Sequence, residues 1–385
     1  MTLIIAALLL LQFGPRVPLA PAETLLEPAI LRAINEQVPS VDAPLDTIGS
    51  DPSAGWILLS CRDTQCGAAE RAARKISMLV ASKALPQPAR AIRVASVVAP
   101  PLMPGLKAVI QVAEAADRPF QVVRGPWSTA SVVDEVVELF ARHGNNAVES
   151  RPFERVGLLP FDSLGIPSST IVVNPAVSND QAAVAAAASA YFLATLPNAG
   201  SEALLSHLMI GAHARLAEDG RKAVALMGPQ QRASGEILTM FANAIDREQR
   251  RIDSFERFMP APIDPVVHGR IADMEKTITG VWSSVGITPS PFIPPAERIR
   301  GRGGEDRRVP SRPGNAALPK VDLPTAFLKF DNVDLVVSEL GNFIDGRRSI
   351  SDIRDAVSSE FTPIALPVVV EYFERVAKTG AISIK

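Results

Sequence analysis

Apolar residues change their spacing along this chain, and each change marks a different kind of structure. Leu3 to Leu11 is an unbroken apolar run of nine residues, well short of the roughly 20 needed to span a bilayer. Leu25 to Val38 places Leu26, Ile30, Leu31, Ile34 and Val38 at helical spacing, with Pro39 closing the element. Gly55 to Cys61 (GWILLSC) is short and largely apolar on both alternations, which predicts a strand buried on both faces. Thr64 to Ala81 predicts a helix whose broad apolar face includes Ala69, Ala72, Ala73, Ile76 and Leu79. Ala91 to Val98 and Leu106 to Ala113 predict two more strands, with Pro100, Pro101 and Pro104 between them. Ser128 is placed to cap a helix with the stripe Val132, Val133, Val136, Val137 and Phe140, ended by Gly144. Arg155 to Leu159 and Ser169 to Asn174 are further strand candidates. Buried strands alternating with helices predict an α/β layer around a mixed, largely parallel sheet.

From Asp180 onward the spacing is helical. Asp180 to Leu196, Ser201 to Asp219, Arg232 to Phe258 and Val266 to Val281 each predict a helix, with breaks at Pro197-Asn198-Ala199-Gly200 and Gly228-Pro229. In the third, Glu236, Asp246, Glu248 and Glu256 are interleaved with Arg247, Arg250, Arg251 and Arg257, which predicts a charged, solvent-facing helix. Residues 286 to 324 hold eight prolines and the run ERIRGRGGEDRR, the composition of a linker or extended strap. Glu297, Glu305 and Asp306 among those arginines favour a solvated tether over a polyanion contact.

The last 60 residues predict a small domain of their own. Ser349-Ile350-Ser351-Asp352 opens like a capping box with Asp in place of Glu. Its helix carries Ile350, Ile353, Ala356, Val357 and Phe361; a second carries Val368, Val369, Tyr372, Phe373 and Val376. Gly380 precedes a short strand, Ala381 to Ile384, and two helices followed by a strand suit a winged-helix topology. The expected organisation is a signal peptide over 1–22, an α/β domain over 23–200, a helical extension over 201–285, a linker over 286–325 and the winged-helix-like domain over 326–385.

Composition narrows the function. Hydrophobic residues make up 47% of the 385, enough for a substantial core. Basic and acidic residues number 39 and 41, so no long-range field draws the chain to nucleic acid or an anionic membrane. Aromatics at 5% are too sparse for a single-strand stacking platform. Leu3 to Leu11 has the length of a signal-peptide h-region, and Ala20-Pro21-Ala22 supplies a small-x-small site after it. The expected location is therefore periplasmic or secreted, with no stable membrane insertion once the signal is removed. In an exported chain Cys61 and Cys66, the two cysteines present, read as a small disulfide loop.

The chemistry-bearing residues are scattered. Of four histidines, His207 and His213 are six apart and fall on different helix faces, unlike the pair of a zinc-binding H-E-x-x-H helix. His143 sits in a last helical turn and His268 stands alone. The sequence contains no G-x-S-x-G elbow, phosphate-binding loop or dinucleotide fingerprint. Ser168-Ser169 precedes a strand rather than forming a strand-to-helix turn, and Asp63 and Asp162 have no evident partner.

Two stretches resemble the co-catalytic zinc aminopeptidase family. Trp56 to Ala81 is similar to that family's strand and helix bearing two consecutive glutamates and then a glycine; those positions fall on Thr64 and Gln65, with Gly67 retained. The resemblance implies a general base at the first and a zinc ligand at the second, roles that Thr and Gln do not fill. Leu159 to Pro167 is similar to the segment where the family has Ser-Asp-His, Phe and Gly-Ile-Pro. Phe161 and Gly165-Ile166-Pro167 match, and the acidic residue present is Asp162. The strand that follows ends on Asn174-Pro175, where a ligand histidine would be expected. Leu340 to Ile384, led by Asp345-Gly346-Arg347-Arg348-Ser349-Ile350, resembles the PqqD-like winged-helix domains that bind peptides or partner enzymes.

These resemblances imply a zinc-exopeptidase-like fold with the degenerate positions Thr64, Gln65, Asp162 and Asn174 in place of the ancestral site. The expectation is a non-catalytic binding or scaffold module outside the cytoplasm, a pseudoenzyme with no catalytic residue, no metal and no cofactor, and with a peptide or protein partner. One alternative is an active aminopeptidase, a zinc-dependent hydrolase whose gene start has been placed too late. The other is a peptide-binding accessory protein acting through its C-terminal domain.

Overall fold

In a computed structural model, the described residues are 32–34, 48, 55–61, 67–96, 105–115, 118–144, 148–152, 166–174, 179–196, 201–226, 234–259, 262–284, 306–313, 318–361 and 363–385. Strand β1 (Trp56–Cys61) is second from one edge of a six-stranded sheet, and all six of its residues are buried. The others are β2 (Ala91–Ser96), β3 (Leu106–Glu114), β4 (Gln121–Val123), β5 (Glu149–Arg151) and β6 (Ser168–Val173), in the order β2-β1-β3-β6-β4-β5. β1 runs parallel to β2 and β3, and β3 parallel to β6. β4 is antiparallel to β6 and carries β5 parallel to itself, which makes the sheet mixed and mostly parallel. The α/β expectation therefore holds.

The alternation along each strand assigns the two faces. Ile57, Leu59, Cys61, Ala108, Ile110, Val112, Ile171 and Val173 join one large core with α1 (Gly67–Ala81), α2 (Val132–Gly144) and α3 (Asn179–Thr195). Trp56, Leu58, Ala91, Leu106 and Val109 form a separate cluster on the opposite face. Helix α3 has no polar stripe: Ala182, Ala185 to Ala188, Ala190 and Phe192 to Ala194 are all buried. A helix apolar on every side belongs between other layers, and α3 contacts α1, α2 and the sheet. Buried Arg90, just before β2, donates to the carbonyls of Leu193 and Leu196 at the end of α3 and to Phe258. That places a cation on the negative end of the helix dipole. At the entrance to β1, Gly55 has φ +87°, and a Cβ there would meet Gly105 O at 2.7 Å, so only glycine lets β1 and β3 approach this closely.

Three further helices stack outside this layer: α4 (Ser201–Leu226), α5 (Ser234–Glu256) and α6 (Pro265–Ser284). The charged face expected of α5 is not a solvent face: Arg247, Glu248 and Arg251 are buried, because α2 and α4 bring opposite charges to them. Ser128 is not the cap of α2 but part of a 3-10 turn, Trp127–Thr129. The helix begins at Val132, with Ser131 Oγ accepting from Val133 N at 3.3 Å. The helix expected over 25–38 is described only at Arg32 to Ile34, and the strand expected over 155–159 lies outside the described residues. β4 and β5, of three residues each, carried no signal in the apolar pattern.

The C-terminal segment has its own core of Phe327, Val336, Leu340, Phe343, Ile353, Phe373 and their neighbours. It contains three helices, α7 (Val333–Asn342), α8 (Ile350–Glu360) and α9 (Leu366–Lys378), one more than the sequence pattern predicts. β7 (Pro310–Ser311) pairs antiparallel with β8 (Ser383–Ile384) in a two-stranded ribbon. The capping box of α8 is formed, with Ser349 Oγ accepting from Asp352 N and Asp352 accepting from Ser349 N. Residues 306 to 308 are tied to α8 by their backbone: Arg308 O and Asp306 O accept from Ile350 N and Ser351 N, the open first turn of α8.

Candidate functional site

In α/β sheets ligand-binding groups gather beyond the carboxyl ends of the parallel strands. Two of the predicted positions are described there. Cys61 ends β1, is buried and is disulfide-bonded. Asn174 follows β6 and is half-buried. Thr64, Gln65, Cys66 and Asp162 lie outside the described residues. The sheet itself also holds buried polar residues that the sequence pattern does not single out. Ser60, Gln111 and Thr170 stand at one level of β1, β3 and β6, on the face turned away from the helices. Thr170 Oγ1 donates to Gln111 Oε1 at 3.2 Å, and Ser60 Oγ is buried without a hydrogen-bond partner. Hydroxyls and amides orient a polar group but do not ionise near neutrality, so this row offers hydrogen bonds rather than acid–base chemistry.

The densest group of charges lies between α2, α4 and α5. Glu135 of α2 is met by Arg124 at 2.8 Å, Arg215 of α4 at 2.6 Å and Arg251 of α5 at 3.0 Å. Glu248 of α5 is met by Arg215 at 2.7 Å and Arg247 at 2.5 Å. Burial alone would raise both carboxyls, but these guanidinium groups outweigh it and hold Glu135 and Glu248 far below the usual range. Burial and Arg215 together push Arg251 down to about 10. His207 Nε2 stands 3.8 Å from Glu135, and burial lowers its pKa against the pull of that carboxylate. Asp134 accepts from Gly125 N at 2.9 Å and from Arg251 at 3.2 Å; burial raises its pKa against those contacts. Every carboxylate here is matched by a guanidinium, an arrangement that clamps three helices together.

The junction between this layer and the C-terminal module is also polar. Trp127 packs against the module's core and lies under the Arg247 guanidinium, 4.6 Å from its ring centroid. Trp127 N donates to Glu360 Oε1 at 3.1 Å and Ser128 N to Glu339 Oε1 at 2.9 Å. Asn243 of α5 donates to Ser359 at 3.0 Å. Arg250 and Arg348 lie over Phe343 at 5.1 and 5.2 Å.

The ribbon's two edges differ. Val309 and Lys385 exchange both backbone hydrogen bonds, at 2.9 and 3.1 Å. The antiparallel alternation then turns the backbone groups of Pro310 and Ile384 outward. Pro310 has no N–H, so the β7 edge lacks that donor, whereas the N–H and C=O of Ile384 have no partner among the described residues.

Among the described residues no group of three or more His, Cys, Asp or Glu side chains is placed to hold a metal ion. Among them, too, no helix is long and apolar enough to cross a membrane.

Together these features define a mixed, mostly parallel α/β protein with an appended helical module. No family model matches the chain, and no curated protein matches it. Among solved structures it is similar to one named "putative peptidase" from Clostridium acetobutylicum, with 9% identity and a TM-score of 0.25. That similarity takes in 88% of this chain and 60% of the other, so this chain spans less than two thirds of that protein's length.

Proposed function

We propose that the protein is a non-catalytic binding scaffold that works outside the cytoplasm, and that its C-terminal module receives an extended segment of a peptide or protein partner along β8. The open β8 edge carries this reading. A strand whose outward backbone groups have no partner among the described residues, on a ribbon whose other edge lacks a donor at Pro310, accepts one further strand on one side only. The resemblance of residues 340–384 to PqqD-like domains supports it. The buried ion clusters support the scaffold half, because their charges are spent on each other and on holding helices. The N-terminal apolar run and the disulfide-bonded Cys61 support export.

Panning the full chain against a phage-displayed peptide library tests the reading. Enriched peptides should bind the native chain and lose at least about tenfold in affinity to Ile384→Pro, which removes the edge N–H. Equal binding by the variant, or no enrichment at all, overturns the site. Turnover of aminoacyl-nitroanilides that depends on added zinc overturns the non-catalytic assignment and restores the aminopeptidase alternative.

A further inference from the structure

Two carboxyl groups from different helices of the C-terminal module end in one place. Glu339 of α7 is fully buried, and Glu360, the last residue of α8, is half-buried. Each accepts a backbone N–H from the same turn of the α/β domain, at Ser128 and Trp127. Accepting from two consecutive N–H groups sets the two carboxyls side by side. Two carboxylates set side by side in a buried place repel each other, and one proton between them removes that repulsion. The Oε2 atom of each is buried without a well-formed hydrogen bond, and the Ser128 hydroxyl and Asn342 amide are the polar side chains beside Glu339. A proton held between them satisfies groups that are otherwise orphaned.

The neighbouring charges do not replace that proton. From α5, Arg247 and Arg250 face the pair, but Arg247 is committed to Asp219 at 2.9 Å and Glu248 at 2.5 Å, and Arg250 to Asp246 at 2.9 Å. Ahead of α8, Arg348 is held by Asp345 at 2.5 Å and Asp246 at 3.5 Å. On α7 Asn342 is the further polar neighbour, and the 127–129 turn brings no ionisable side chain.

We propose that the C-terminal module is docked on the α/β domain through a proton shared by Glu339 and Glu360, and that losing this proton as pH rises releases the module from the 127–129 turn. Burial holds both carboxyls above the ordinary glutamate range, and the neighbouring Glu339 pushes Glu360 further up. Once undocked and solvated, both return to about 4.3. The docked state therefore binds the extra proton. Docking is complete below the ordinary glutamate range and weakens as pH climbs towards the raised value. This device is independent of the β8 edge and of what binds there.

Small-angle scattering and hydrogen exchange on the full chain, from about pH 5 to about pH 8, test it. Exchange is corrected for its intrinsic pH dependence. Native protein should expand and lose protection at Trp127 and Ser128 as pH rises, by about tenfold per pH unit for one linked proton. Glu360→Gln keeps a donor to Glu339 but has no proton to lose, so it should stay docked throughout. Should circular dichroism show that variant unfolded, Glu339→Gln carries the same expectation. Asp253, pushed up to about 7 by burial and by Glu275 of α6, titrates in this window, but neither substitution touches it. An unchanged radius and protection in the native chain, or a Gln variant that opens like it, overturns the proposal.

Discussion

Glu248 has no exposed surface, yet it stands in a sequence run, DREQRR, that reads as hydrophilic throughout. Three arginines account for its burial: Arg215 and Arg247 pair with it closely, and Arg251 lies at 3.5 Å. Removing one partner of such a cluster leaves the others desolvated and unpaired, which costs far more than an exposed ion pair. Glu248→Ala should therefore destabilise the chain by about 3–5 kcal/mol in urea titration. Glu256→Ala, an exposed acid on the same helix, should stay within about 0.5 kcal/mol of native. Equal effects would show that the buried cluster carries no more weight than a surface charge. Nothing in the local pattern marks Glu248 as the buried one: it lies within the hydrophilic run, whereas Glu256 stands between Phe255 and Phe258.

The elements of the C-terminal module were largely legible in the sequence. Ser349 and Asp352 at capping-box spacing mark the start of α8, and the apolar stripe from Val368 to Val376 marks α9. Ser349→Ala should cost about 1 kcal/mol, seen as a lower urea midpoint with unchanged slope, because the first-turn N–H of Asp352 loses its acceptor. No loss would mean that the contacts of residues 306–308 already hold that turn. β7, by contrast, was hidden in a proline-rich stretch. Two residues are too few to show an alternation, and their pairing is fixed by a partner strand at the other end of the module. The short strands β4 and β5 were missed for the same reason. α3 was found, but its unusual burial follows from alanine on every side rather than from any stripe.

For the whole molecule, the apolar cores of the α/β layer and of the C-terminal module are separate, and among the described residues Trp127 is the apolar side chain of the larger domain that packs against the smaller core. Trp127→Ala should therefore uncouple them, giving two calorimetric transitions where the native chain gives one. A single transition, merely lowered, would mean that the polar contacts along α5 suffice to keep the two cooperative.

The sequence by itself determined the α/β class, most helices and long strands, the changes of composition along the chain and the α8 cap. Each of these rests on periodicity or capping within a few residues, where side chains meet because the backbone geometry brings them together. Tertiary structure alone decided which charges are buried and what they hold. Glu135 meets Arg215 across 80 positions and Arg251 across 116, and Trp127 meets Glu360 across 233. A charge looks solvated in sequence wherever it stands. Only the arrival of an opposite charge or a backbone N–H from a distant element makes its burial affordable, and no local spacing encodes that arrival.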